Sequence, residues 1–165
     1  MSFQLIATTA EQLPLIRNLY QFYAYESSDW EQEDIEADGR FYVHDPYLAL
    51  YWQRPGWSAQ LILLDGFIAG FLLLERSEIA GVDAQEFADL FLLKKYRRQG
   101  IGRALVEHVI LASQQPWVIS FYPQDPLAVP FWQNMLRELP WRSVQQLADA
   151  DEPELLTYLL NQRPH

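Results

Sequence analysis

Apolar positions along this chain switch between runs of strand length and the wider spacing of amphipathic helices, and each switch marks an element. FQLIAT (Phe3–Thr8) reads as a first strand. Thr9 with Gln12 three residues later has the form of a capping box. Leu13, Ile16, Leu19, Tyr20 and Tyr23 then recur at helical spacing, and Pro14 falls in the first turns, where a missing N–H costs least. The stretch from Ser27 to Trp57 has no sustained period, so it predicts loops with a short helix. Two apolar runs, Gln60–Leu64 and Phe67–Arg76, flank Asp65-Gly66 and predict a tight hairpin. Gln85–Leu93 and Trp117–Pro123 are further strands. Between them a helix is expected from about Gly100, with Leu105, Val109 and Ala112 on one apolar face. DPLAVPFWQNMLREL predicts a helix capped by Asp125 with Pro126 at its first position, distorted at Pro130. WRSVQQ and ELLTYLL close the chain as two strands. The order β-α-(α)-β-β-β-α-β-α-β-β implies one α+β domain over residues 1–165.

Composition narrows the function classes. Half of the 165 residues are apolar and 21% are charged, which suits a chain that buries a core. With no cysteine there are no disulfides and no thiolate chemistry. His44, His108 and His165 lie far apart, so no metal site is expected. The start of the chain lacks the basic and apolar regions of a signal peptide, and no run is long enough to span a membrane. A cytoplasmic protein without membrane contact is expected. A net charge of −10 argues against a nucleic-acid partner. From Glu26 to Asp45 there are eight carboxylates and one arginine, a solvated face or an acidic rim for a cationic substrate.

Against that background, KKYRRQGIGR (Lys94–Arg103) holds five of the chain's 12 basic residues. A strand, a basic turn, glycines at 100 and 102 and a helix together make an anion site, because the first N–H groups of a helix have no partner within it. A Walker A pattern is absent, and the dinucleotide fingerprint lacks its third glycine.

The stretch resembles motif A of the GNAT acyltransferase superfamily, [R/Q]-x-x-G-x-[G/A] after a strand, with Arg97, Gly100 and Gly102 in the defining positions. The surrounding elements fall in GNAT order along nearly the whole chain, resembling a group of uncharacterised bacterial acetyltransferases. The resemblance implies a GNAT-like fold: a mixed, mainly antiparallel sheet of about six to seven strands with a central parallel splayed pair, flanked by about four helices. It implies a transferase that uses acetyl-CoA as co-substrate, without metal, to acylate a primary amine of a small-molecule or peptide acceptor. It allows a homodimer. The N–H groups of Arg98, Gln99, Gly100, Ile101, Gly102 and Arg103 would cradle the pyrophosphate, with Arg97 also among the cofactor-binding residues. The backbone of Leu90, Phe91 and Leu92 would take the pantetheine arm like an added strand. An N–H near Phe91 or Leu92 would polarise the thioester. Asp125 stands where relatives carry Asn, and Trp132 where many carry a tyrosine acid; either would contact the cofactor.

The chemistry stays open at this stage. The candidates for a base are Glu86 and Asp89, three residues apart and so on opposite faces of a regular strand unless a bulge intervenes; either equally suits a solvated or salt-bridged strand carboxylate. Trp132 does not titrate, so the acid is another tyrosine, Tyr122 or one of Tyr23, Tyr25 and Tyr51, or none is needed. Tyr25, Glu26, Asp29 and Trp52 are the candidate acceptor-binding residues, in a region whose many aromatics equally suit plain core packing. The alternative function is a non-catalytic acyl-CoA-binding sensor.

Overall fold

The Asp-Gly dipeptide forms the turn its chemistry predicts. In the computed structural model, which describes residues 2–162, Asp65 (φ 52°) and Gly66 (φ 82°) both adopt left-handed backbone. A type I′ hairpin turn requires that pair. β2 (Ser58–Leu64) and β3 (Phe67–Arg76) are antiparallel across it, and β1 (Phe3–Ala7) is antiparallel to β2. The β2–β3 register slips: Ile62 faces Gly70 and Leu63 faces Ile68, leaving Ala69 as a bulge. With β4 (Gln85–Leu92), β5 (Trp117–Phe121), β6 (Val144–Leu147) and β7 (Leu156–Leu160), the sheet has seven strands in the order β1-β2-β3-β4-β5-β7-β6. β4 and β5 are parallel, and β7 is antiparallel to both β5 and β6. The sheet is therefore mixed, with a central parallel pair. His165 lies outside the described residues.

The chain divides into two compact units, each built from separated segments. The first comprises the chain through Leu74 with Asp89–Gln99; the second comprises Glu75–Ala88 and the chain from Gly100 on.

In the first unit, α1 spans Leu13–Glu31 and runs beyond the expected end near Glu26. Ser27 and Ser28 interrupt the apolar period, but their hydroxyls donate back to the carbonyls of Tyr23, Ala24 and Tyr25, so the helix tolerates them. It stops at Gln32, in left-handed backbone. The irregular segment folds into two single turns, α2 (Asp45–Leu48) and α3 (Leu50–Gln53). Ile16, Leu48, Tyr51, Trp57, Phe71 and Phe91 form the core. Much of the aromatic richness is thus packing: Tyr51 and Trp57 lie 5.1 Å apart between ring centroids, and Phe71 stacks on Phe91 at 5.8 Å. Gly70 permits the close approach of β4, since a Cβ there would fall 1.8 Å from the Phe91 carbonyl oxygen. Gly70→Ala should cost at least the ~1–3 kcal/mol typical of overpacking. A urea-unfolding midpoint unchanged from wild type would contradict that contact.

In the second unit, Gln85, Glu86 and Phe87 register with Trp117, Val118 and Ile119. The ladder covers three pairs, whereas β4 runs on to Leu92 and β5 to Phe121. β5 ends before Tyr122, earlier than the sequence suggests. α4 (Ile101–Val106) continues as a π-turn through Glu107–Leu111, closed by the Ala112 N–H to the Glu107 carbonyl at 2.9 Å. The wider turn moves burial off the expected face: Leu105 and Ile110 are fully buried and Ala112 is exposed. α5 spans Ala128–Glu138. Pro130 is its third residue; the Val129 N–H donates to the Asp125 carbonyl at 3.2 Å and the Phe131 N–H to the Leu127 carbonyl at 3.4 Å, and Pro130 leaves the bond between them unmade in the first turn, where that loss costs least.

Candidate functional site

The first unit brings the end of β4 against α1. Residues three or four apart on a helix share a face, and Tyr20, Tyr23 and Glu26 use it. Tyr20 and Tyr23 lie edge to face at 5.3 Å; Tyr23 also lies edge-on to Phe91 at 5.9 Å. The Tyr23 hydroxyl donates to Asp89 Oδ1 at 3.1 Å. The Asp89 charge, with burial second, raises the Tyr20 phenol far above its ordinary range, and Glu31 and Glu33 act in the same direction. Tyr20 therefore remains protonated, a donor and not a base. One carboxylate framed by aromatic rings and a phenol can accept a proton and can hold a cation.

Beside it, Arg97 is held at three points. Its Nε donates to the Leu92 carbonyl at 2.9 Å, its Nη2 meets Glu26 Oε1 at 2.7 Å, and its guanidinium lies 5.6 Å from the centre of the Phe91 ring. The Leu93 N–H donates to the Ala69 carbonyl at 2.8 Å. At the other end of the strand the Gln85 N–H donates to the Pro116 carbonyl, next to β5. Gln85 and Leu93 are separated by an even number of residues, so a regular strand would turn both N–H groups to one edge. They face β5 and β3 instead. β4 changes facing along its length, and the simple alternation that puts Glu86 and Asp89 on opposite faces does not hold throughout it.

The motif turn follows β4. Lys94–Tyr96 is a 3₁₀ turn, and Arg98 (φ 61°) and Gly100 (φ 81°) are left-handed on either side of Gln99. Such alternation makes successive N–H groups converge into an anion-binding concavity. Lys94, Lys95 and Arg98 are exposed around it.

In the second unit, Gly100 caps α4, and the first helical bond in that turn runs from the Ala104 N–H to the Gly100 carbonyl at 3.0 Å. The N–H groups of Ile101, Gly102 and Arg103 precede it. A Cβ on Gly100 would meet nothing within 4 Å, so the turn is open there. Gly102 differs: a Cβ would lie 2.9 Å from Phe131 Cε2, so this glycine admits the α5 ring against α4. The Arg103 side chain is bound to Glu107 at 3.0 Å and Glu138 at 2.6 Å, and those carboxylates raise its pKa. Its backbone N–H rather than its guanidinium is placed to serve the turn.

The other candidates are placed as follows. Glu86 sits in the parallel ladder opposite Val118. Tyr122 follows β5, and its carbonyl accepts the Asp125 N–H. The Asp125 carboxylate accepts the Leu127 and Ala128 N–H groups at 3.0 and 3.1 Å and so closes the turn ahead of α5, which begins at Ala128 and not at Pro126. Trp132 is buried, edge-on to Phe87 at 5.5 Å, in a packing position. Glu26 binds Arg97, whereas Tyr25, 72% exposed, and Asp29 face solvent on α1. Trp52 donates from its indole to Thr8 Oγ1 at 3.0 Å, tying α3 to the residue after β1. Reading the aromatics as one group hid the Tyr20–Tyr23 pair; their i, i+3 spacing opposite a strand carboxylate is the signal that could have found it. Among the described residues, no cluster of three or more His, Asp or Glu is placed to hold a metal, and no helix is long and apolar enough to cross a membrane.

Residues 56–135 match the family model described as acetyltransferase (GNAT) domain. No curated protein matches the chain. Among solved structures, an acetyltransferase from Thermus thermophilus is 17% identical with a TM-score of 0.63, covering 96% of each chain. A GNAT-family acetyltransferase from Staphylococcus aureus Mu50 is 14% identical with a TM-score of 0.64, covering 98% of this chain and 100% of that one. Arabidopsis thaliana Naa50, in complex with the bisubstrate analogue CoA-Ac-MVNAL, is 17% identical with a TM-score of 0.57, covering 99% and 100%. The fold is that of the GNAT acetyltransferases.

Proposed function

We propose that this GNAT-fold chain, whose residues 56–135 match the GNAT acetyltransferase domain, is an acyl-CoA-dependent N-acyltransferase that moves acetyl from acetyl-CoA to a primary amine. The observation that carries the reading is the turn after β4, where left-handed Arg98 and Gly100 lead into a helix whose first N–H groups precede its own bonding. Backbone from Arg98 to Arg103 grips the pyrophosphate, with Lys94, Lys95 and Arg98 supplying charge. Leu90, Phe91 and Leu92 accept the pantetheine arm as an added strand.

The acceptor amine meets Asp89 among Tyr20 and Tyr23. Attack by neutral nitrogen on the thioester carbon makes the C–N bond. The C–S bond breaks with its electron pair on sulfur, the amine proton passes to the Asp89 carboxylate, and solvent protonates the released thiolate. Trp132, buried and without a useful proton, has no part in this. Calorimetry with acetyl-CoA tests the donor half: saturable one-site binding is expected, and none would sink the assignment. Thiol release over a panel of primary amines tests the acceptor half. Binding without turnover on any amine would favour a non-catalytic sensor.

A further inference from the structure

Arg97 occupies a defining position of the motif, yet its guanidinium is held by groups of its own unit: the Leu92 carbonyl, the Glu26 carboxylate and the Phe91 ring. We infer that Arg97 is a positioning residue for the acyl end of the donor arm and not a phosphate ligand; the inference rests on the acyl-CoA reading above. The Leu92–Leu93 peptide is clamped at both ends, its C=O by Arg97 Nε at 2.9 Å and its N–H by the Ala69 carbonyl at 2.8 Å. In an extended strand, a residue's own N–H and C=O point to the same edge. Fixing the Leu92 carbonyl therefore fixes the direction of the Leu92 N–H, one of the two donors, with that of Phe91, that would polarise the thioester. Glu26 completes the clamp by steering the guanidinium from α1, with both side chains about three-quarters buried (24% and 22% exposed).

The same bond is open to a glutamine at position 97 and closed to a lysine. Glutamine Nε2 stands the same number of bonds from Cα as arginine Nε, so either can donate to the same carbonyl. Lysine has a methylene at that point and its ammonium one bond further out. A role in phosphate charge would make the opposite choice, since lysine keeps the charge and glutamine loses it.

The test compares wild type, Arg97→Gln, Arg97→Lys and Arg97→Met by calorimetric displacement with acetyl-CoA and with ADP, which carries a pyrophosphate but no arm. Arg97→Met is expected to weaken acetyl-CoA about tenfold, in line with the loss of a hydrogen bond from a charged group, and to leave ADP unchanged. Arg97→Gln should restore most of the acetyl-CoA affinity and Arg97→Lys less. A parallel fall for ADP, or restoration by lysine and not glutamine, would overturn the inference, as would an unchanged acetyl-CoA affinity in Arg97→Met. Thermal unfolding of each variant separates these effects from loss of fold. Failure of the wild type to bind acetyl-CoA would instead remove the acyl-CoA reading.

Discussion

Asp89→Asn is expected to lower turnover on any accepted amine by about 10²–10³-fold, within the range general base catalysis contributes, and to leave acetyl-CoA affinity nearly unchanged. Asparagine keeps the shape and can still accept from the Tyr23 hydroxyl, but it cannot take the amine proton. Tyr23→Phe removes the hydrogen bond to Asp89 and should cost about tenfold, the scale of a bond to a charged partner. Glu86→Gln, in the ladder opposite Val118, should cost much less than Asp89→Asn. Initial rates of thiol release at saturating acetyl-CoA decide the matter. If Glu86→Gln gives the large loss and Asp89→Asn the small one, the base assignment is reversed.

Gly102→Glu should abolish acetyl-CoA binding, and Gly102→Ala should weaken it by about tenfold, because a side chain here meets Phe131 Cε2 at 2.9 Å and displaces α4 from the geometry that aims its first N–H groups. The prediction concerns cause as well as size. If Gly102 exists to admit Phe131, a Phe131→Ala change should recover binding in the Gly102→Ala background, as coupled neighbours do in a double-mutant cycle. If it exists to let a phosphate approach, removing the ring recovers nothing. Calorimetric acetyl-CoA affinities of the two single variants and the double variant distinguish these outcomes.

Local chemistry explains what was legible beforehand. Asp65-Gly66 could only be a turn with two left-handed residues, and it anchored the hairpin correctly. β4, the basic turn and the following helix were readable because strand period, glycines and helix period are all short-range signals. Boundaries failed where side chains bonded locally against propensity. Ser27 and Ser28 looked like the end of α1 and are satisfied inside it. The π-turn moved burial from Ala112 to Ile110, which no 3.6-residue pattern anticipates. At the site, residue types suggested that arginines face phosphate and that acidic residues near the aromatics face substrate. Arg103 and Glu26 turned instead to partners far along the chain, Arg103 to Glu138 and Glu26 to Arg97.

By itself, the sequence determined the α+β class, the hairpin, the order of elements and a turn suited to an anion, because all of these arise from contacts among residues a few positions apart. Only the tertiary structure decided which carboxylate joins the tyrosines, that Gly102 lies against the Phe131 ring, and that Arg97 holds the Leu92 carbonyl with Glu26 at its back. Tyr23 and Asp89 are 66 residues apart, and Glu26 and Arg97 are 71 apart. Such partners are chosen by the packing of a helix on a strand, and neither segment alone carries the information that they meet.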